Sequence, residues 1–571
     1  MELINKQLEK LIHENVKNIF NIDSDIEIQS SNKKGFGDFA TNFAMVNSKT
    51  LGKNPREIAQ TFIDNFSEND IIEKLEIAGP GFINIFLKSK FINSEFKKIG
   101  KEDYDFSFLD NGKKTIIDYS SPNIAKRMHI GHLRSTIIGD SIKRIMKFTG
   151  FEILADNHIG DWGTQFGKLI VGYDRWLDKK NYEEDPIEEL ERIYVKFSEE
   201  SKNDPELESI AREELRKLQS GDERNNRLWH EFIDISLKEY DKIYKRLNIT
   251  FDLYNGESFY NDMMPDILDI LVSRKIAVED QDALVVFFDE DTKLHPCIVQ
   301  KKDGSFLYST SDLATIKYRR EVLHIDKAIY ITDERQQDHF RQVFKIAEIL
   351  GDGFDYEKVH VWFGIMRFKD GIFSTRLGNI IKLNDLLDEA KKEVRKTIEI
   401  KNPGIPDDEK EKISEIVGIG AIKYFDLSQN RTSPVIFEWE KVLSFEGNTG
   451  PYLQYTYARI MSVFRKLNGE NIGYNEESEI ILESDIERDL SLMLLNFPNI
   501  VVKAGETYRP NLIADYLFET AKTFSTFYNQ KHIANETDLA LRNSRITLAS
   551  KTAHVLKAGL DLLGIKTVDR M

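Results

Sequence analysis

His129 and His132 stand three residues apart, with Gly131 between them, in the segment DYSSPNIAKRMHIGHLRSTIIG from Asp118 to Gly139. Two imidazoles at that spacing can both donate hydrogen bonds to a pentavalent phosphorus transition state. A glycine between them lets the backbone approach a nucleotide closely. Lys126, three residues upstream of His129, adds a positive charge. The competing reading is a structural histidine pair inside a core, and the surrounding pattern argues against it. The segment follows a strand-like run, Ile116-Ile117-Asp118-Tyr119, and opens a helix-like stretch from His132 to Met146. A helix start supplies unpaired N–H groups and the positive end of a dipole, both suited to phosphate. A doubly wound sheet places its ligand at the carboxyl ends of its strands, where this turn falls.

Those residues need a scaffold, and the chain around them alternates short apolar runs with helical stretches. Phe151–Leu154, Ala328–Ile331 and Val359–Phe363 read as further buried strands. Such alternation predicts βαβ units around a parallel sheet. Upstream, Ile4, Leu8, Leu11, Ile12, Val16 and Ile19 form one helical stripe, and Phe82–Phe86 reads as a strand entered through Gly79-Pro80-Gly81. The polar run from Gly100 to Lys114 reads as a linker. Asp174 to Arg227 is charged and helix-prone, and reads as a solvated insertion. Residues 276–308 read as antiparallel β, with Asp303-Gly304 as a turn. From about Asn430 the pattern is helical, with Ile513, Tyr516, Leu517, Thr520, Phe524 and Phe527, then Leu556, Leu560 and Leu563, at helical spacing. The expected fold class is α/β. A Rossmann-type parallel-sheet catalytic domain spans 106–435, with an insertion at about 174–300. An N-terminal α/β domain (1–105) and a C-terminal all-helical bundle (436–571) flank it.

Composition bounds what such a chain does. At 571 residues, two to four domains are expected. Hydrophobic content of 41% and charged content of 31% fit a folded soluble protein. No apolar run reaches membrane-spanning length, and the acidic start lacks a signal core. The sole cysteine, Cys297, excludes a disulfide framework and a cysteine-based zinc site. Together these point to the cytoplasm. A net charge of −17 argues against coating nucleic acid through bulk charge, so any RNA contact must be local.

His129-Ile130-Gly131-His132 resembles the HIGH signature of class I aminoacyl-tRNA synthetases, and Ser120–Lys126 before it is similar to the arginyl branch of that class. Other arginyl-like stretches follow in order: Ala155–Gln165, Asp333–Gln336, Gly447–Tyr455, the helix His554–Ile565 and the ending Arg570-Met571. The resemblance covers essentially the whole chain. It implies ATP-dependent activation of L-arginine to arginyl-adenylate and transfer to the 3′-terminal ribose of tRNA(Arg), with release of AMP and pyrophosphate. It further implies ATP and Mg²⁺ as cofactors, a monomer, no protein-bound metal, and activation that requires bound tRNA. His129, Gly131, His132 and Lys126 match the catalytic positions. Ser374, Thr375 and Arg376 join His129, Gly131 and His132 at ATP. Those three lie in Ile372–Asn379, which matches the second class I signature, KMSKS, but has neither lysine. Lys126 stands where arginyl enzymes place a substitute lysine, assisted by Arg376 and Mg²⁺; Lys369 is the alternative.

A guanidinium carries five donors in a planar fork, so its pocket needs carboxylates and amide oxygens. The resemblance assigns Asp118, Ser120, Asn123, His132, Tyr308, Asp312 and Gln336 to arginine, with Asp118 and Asp312 meeting the guanidinium. Tyr308 and Asp312 share a face if they start a helix. The helical C-terminal region resembles the family's anticodon-binding bundle, where Tyr452, Tyr455, Tyr457 and Arg459 offer rings and a cation to unstacked bases. The N-terminal unit resembles the domain that touches the tRNA elbow, with Phe82 and Asn84 as a base platform. Two of the three tyrosines read better as bundle core, and Phe82 reads equally well as core. Cysteinyl enzymes need zinc, and glutamyl enzymes need basic rather than acidic pockets. A non-catalytic tRNA-binding relative would carry a damaged turn, and a small nucleotidyltransferase would not need the helical tail.

Overall fold

The computed structural model describes residues 1–30, 37–368, 381–470 and 472–571. The first helical stripe forms the helix Ile4–Phe20, burying Ile4, Leu8, Ile12 and Val16. It packs with the antiparallel strands β1 (Ile28–Ser30), β2 (Phe39–Thr41), β3 (Ile72–Ala78) and β4 (Phe82–Leu87), in the order β1-β2-β4-β3.

The catalytic sheet begins with β5 (Thr115–Asp118), buried along its whole length as a central parallel strand must be. The helix Ile130–Phe148 returns the chain to β6 (Ile153–Asp156). Gly139 lets that helix lie on the end of β5, because a Cβ there would stand 2.3 Å from the Tyr119 ring. β6 starts two residues later than its apolar run suggests. Gly150 turns left-handed and the Phe151 N–H donates to the Met146 carbonyl, so Phe151 closes the helix before the strand begins.

Next comes a large insertion. The stretch expected to be solvated is a packed helical unit: Pro186–Glu200 buries Ile187, Leu190, Ile193 and Phe197, and Pro205–Gln219 buries Leu207, Ala211 and Leu218. Many of its charges have structural work. Asp178, Asp185, Asp204 and Asp222 each accept backbone N–H groups at a helix start, caps that contribute about 1 kcal/mol apiece. The helix Glu223–Leu247 follows, then the antiparallel β7 (Ala277–Asp280), β8 (Ala283–Val286) and β9 (Cys297–Gln300).

The helix Tyr308–Glu321 leads into β10 (Lys327–Tyr330), the helix Gln337–Leu350 and β11 (Glu357–His360). The parallel sheet runs β11-β10-β5-β6. Strand order therefore reverses between β5 and β10, and a crevice opens at their carboxyl ends. β11 ends before the apolar Val361 and Phe363, whose N–H groups still bond to Tyr330 and Thr332. β12 (Met366–Phe368) pairs in parallel with β13 (Val435–Phe437), so a strand falls inside the stretch that reads as helical from Asn430.

The remainder is a helical bundle. Its helix Asn511–Gln530 buries Ile513, Tyr516, Leu517, Thr520, Phe524 and Phe527 on one stripe, and Leu539–Leu562 buries Leu556 and Leu560. Arg134 pairs with Asp426 at 2.9 Å, tying the first catalytic helix to Asp407–Leu427 within the catalytic unit, and Arg488 pairs with Asp38 at 2.6 Å, tying the bundle to the N-terminal unit. No described helix is long and apolar enough to cross a membrane.

Candidate active site

The turn from Ser120 to His129 is held open by strain. Ser120, Ser121 and Ala125 all have left-handed φ, at 76°, 48° and 60°. Each costs a non-glycine residue about 1–2 kcal/mol. Each is also pinned by a side chain from elsewhere. Ser120 N–H donates to Ser135 Oγ, Ser121 N–H to Asn157 Oδ1, and Ala125 N–H to Ser236 Oγ, at 2.9, 3.1 and 2.9 Å. The first catalytic helix, the loop after β6 and the insertion thus shape the turn jointly. Strain over-determined in this way clusters at functional sites.

His129 caps the helix Ile130–Phe148. Its Nδ1 accepts the Gly131 N–H at 3.0 Å, and His132 Nδ1 accepts the His129 N–H at 3.1 Å. With both Nδ1 atoms accepting, each neutral ring carries its proton on Nε2. Burial and the Lys126 charge lower the His129 pKa; burial, His129 and Lys126 push His132 down to about 3. Both rings are therefore neutral donors at pH 7, with centroids 4.0 Å apart. Gly131 is required here, since a Cβ would stand 2.8 Å from the His129 ring. Lys126 rests its ammonium 4.5 Å from the Tyr194 ring centroid, on the insertion. Ser374, Thr375, Arg376 and Lys369 lie outside the described residues.

The acidic residues gather at the crevice, but not as free carboxylates. Asp118 ends β5, and its Oδ2 accepts from Arg319 Nη2 at 2.6 Å. Tyr308 and Asp312 do share the first turn of the helix Tyr308–Glu321, and Asp312 Oδ2 pairs with His339 Nε2 at 2.5 Å. Burial lowers the pKa of His339, but the hydrogen bond and charge of Asp312 outweigh it and raise the net value. Tyr308 is 67% exposed. Ser120 Oγ is buried between Tyr244 OH and Thr136 Oγ1, each at 2.8 Å, so its side chain shapes the turn. Asn123 is exposed and covers Gly160, and Gln336 is exposed on a short 3-10 turn.

Glu257 is the acid that sequence reasoning missed. It lies mostly buried near Asp161, Asp312 and His158, and burial pushes its pKa up to about 7. Its charge is the first cause of the raised Tyr308 pKa. It has no ion-pair partner among the described residues. Only its position after the Asn255-Gly256 turn marks it in the sequence, and that is a weak signal. Arg319 had a usable signal: it follows Asp312 by seven residues, so both lie on one helix face.

Of the residues read as RNA platforms, Tyr455 is 44% exposed, whereas Tyr457 is 8% exposed. Tyr457 spends its ring on the bundle core, which removes it as a stacking surface. Tyr452 is half-buried, its hydroxyl 3.3 Å from Ser525 Oγ, and Arg459 covers the Tyr528 ring at 4.2 Å. Asn84, at 6% exposure, sits inside the sheet on β4, which argues against a base platform there; Phe82 is half-buried.

A parallel sheet with a crevice at its switch point, and a helix opened by two neutral imidazoles, define a class I aminoacyl-tRNA synthetase. The family model "tRNA synthetases class I (R), catalytic domain" matches residues 99–439. The "DALR anticodon binding domain" matches 453–571 and the "Arginyl tRNA synthetase N terminal domain" matches 6–87. The arginine–tRNA ligase of Fusobacterium nucleatum is 58% identical over 100% of both chains. That of Haemophilus influenzae is 44% identical over 96% of each. Among solved structures, the arginyl-tRNA synthetase of Plasmodium falciparum aligns over 100% of both chains with a TM-score of 0.83 and 30% identity. The Thermus thermophilus enzyme shares the fold at the same TM-score and 23% identity. The chain belongs to the arginyl-tRNA synthetase family.

Proposed function

We propose that the chain activates L-arginine with ATP and transfers it to the terminal ribose of tRNA(Arg), as a cytoplasmic monomer, with Mg²⁺ entering on the nucleotide. The arginine carboxylate attacks the α-phosphate in line, pyrophosphate leaves, and the ribose 2′-hydroxyl then takes the acyl group. No protein nucleophile is needed. His129 and His132 donate from Nε2 to the phosphate oxygens as charge develops there. Neutral, preoriented donors need no rearrangement at the moment of reaction. Lys126 supplies the positive charge that the degenerate second signature lacks. Gly131 gives the nucleotide close access, and Ser374, Thr375 and Arg376 complete its site.

Asp312, Glu257 and Asp118 surround the guanidinium. Tyr308 closes over it, and Asn123 and Gln336 hold the amino-acid backbone. Asp118 and Asp312 already hold internal cations, so Glu257 is the acid with most to gain from an arriving one. Tyr455, Arg459 and the exposed edge of Tyr452 face the anticodon arm, and Phe82 serves the elbow. The single observation that carries this reading is the pair of Nδ1-locked imidazoles beside an acidic crevice. Its test is ATP–pyrophosphate exchange and tRNA charging across an amino-acid panel. Arginine alone should support charging, and exchange should appear only when tRNA is present. Charging with another amino acid would overturn the substrate, and exchange without tRNA would overturn the tRNA requirement.

A further inference from the structure

Asp118 and Asp156 are register neighbours at the carboxyl ends of β5 and β6. Both are buried, and two carboxylates side by side in a dry site repel each other. The facing ligand atoms of Asp118, Asp156 and His158 lie within 4.8 Å of one another, a spacing that suits a cation. The cation there belongs to the chain. Arg319 Nη2 donates to Asp118 Oδ2 at 2.6 Å and to Asp156 Oδ2 at 2.8 Å. The Arg319 side chain is completely enclosed, and the Tyr330 ring lies under its guanidinium at 5.1 Å. Tyr330 is in turn the register partner of Asp118 on β10. Nη2 of the guanidinium is therefore held at three adjacent strand ends, while Nε and Nη1 lie buried without hydrogen-bond partners among the described residues.

We propose that Arg319 is a positioning residue for amino-acid specificity: it fixes Asp118 with one oxygen engaged and the other turned to the substrate guanidinium. This rests on the arginine-activating reading above. Among the described residues, Oδ1 of Asp118 is held only by Ser121 Oγ at 3.3 Å, a long contact that a charged donor outcompetes. Asp118, Asp156 and Arg319 together carry one net negative charge when ionised, so the trio is completed by one more cation. A substrate guanidinium supplies it, and a neutral isostere such as citrulline does not. Arg319 also acts along its own helix. It lies two turns beyond Asp312, so the ion pair that fixes Asp118 sets the register in which the helix presents Asp312 and Tyr308. Both bonds come from Nη2, and lysine keeps the charge but not the reach or the flat face against Tyr330, which makes Arg319→Lys an informative change.

The experiment uses the full chain and compares Arg319→Lys with the double variant Arg319→Met/Asp156→Asn. The double variant removes the cation and one anion together, so the net charge of the cluster stays at −1. Thermal melting confirms that each folds. In both, KM for arginine should rise by about tenfold or more while KM for ATP stays within about twofold, and the preference for arginine over citrulline should fall. A folded double variant with arginine KM and citrulline discrimination within about twofold of the parent overturns the proposal. So does an Arg319→Lys enzyme whose arginine and ATP KM values rise in parallel. The parent assayed alongside separates the two readings. A parent that fails to charge arginine defeats the substrate assignment itself, whatever Arg319 does.

Discussion

The phosphate-binding turn and the arginine pocket meet at the end of β5, yet they are built in opposite ways. The turn is one unbroken stretch, Ser120 to His132, whose chemistry is carried by neutral rings and one lysine. The pocket draws Asp118, Glu257, Asp312, Arg319 and His339 from four segments spread over about 220 residues of chain. In the turn, side chains elsewhere hold the backbone, and the functional atoms remain uncommitted. In the pocket, two of the three acids are already paired within the chain, Asp118 with Arg319 and Asp312 with His339. A transition-state site works by fixed donors waiting for charge to develop, whereas a recognition site must hold its negative charge before the ligand comes. An unpaired carboxylate in a dry site is costly, and Arg319 and His339 give Asp118 and Asp312 their partners.

If that contrast holds, variants on the two sides should separate kinetically. The largest effect is expected from His132→Ala. Loss of one preorganised donor should lower kcat for activation by about 10²–10³ with little change in arginine KM. Single-turnover formation of the adenylate measures it. A large rise in arginine KM would break the contrast by placing His132 in the pocket as well. Lys126→Ala should follow, with activation slowed by about 10² and arginine KM again steady, because its charge acts on the phosphates. An unchanged chemical rate would hand that role to another cation.

Asp312→Asn tests the other side. It should lower kcat/KM for arginine by about 2 kcal/mol, mostly through KM. Near-normal arginine kinetics would remove Asp312 from the pocket.

The same contrast explains what could be read before the fold was known. The turn was legible because spacing within one segment carries its chemistry, and the elements around it followed from apolar periodicity. The strand ends were misjudged where backbone bonds decide them: Phe151 closes a helix rather than opening a strand. The insertion looked solvated because a run of Asp residues reads as surface, whereas four of them are helix caps on a unit with its own apolar contacts. Tyr455 and Tyr457 are equivalent as letters, and only packing separates the exposed ring from the buried one. Asp118 and Asp312 stand out as pocket candidates from resemblance. Their pairing does not, because a salt bridge 201 residues apart leaves no local pattern. Glu257 has no periodic partner at all, so only proximity in the fold reveals it.

The smallest expected effect is also the sharpest test of Glu257, because it follows from one titration. Burial first, and then the neighbouring acids Asp161 and Asp312, hold its pKa near 7, with His158 opposing. The sign follows directly. Below about pH 7 the carboxyl is protonated and gives the guanidinium no charge; above it the carboxylate forms and binds. Arginine KM should therefore fall as pH rises, by about tenfold between pH 6 and pH 8, while ATP KM stays flat. Asp312 raises the His339 pKa, and loss of the imidazolium charge beside Asp312 would act in the same direction. Glu257→Gln separates the two. It should raise KM at pH 8 and flatten the profile, leaving only the slope that belongs to His339. A Glu257→Gln enzyme with the parent's full pH dependence would assign the titration to His339 and return the pocket to two acids.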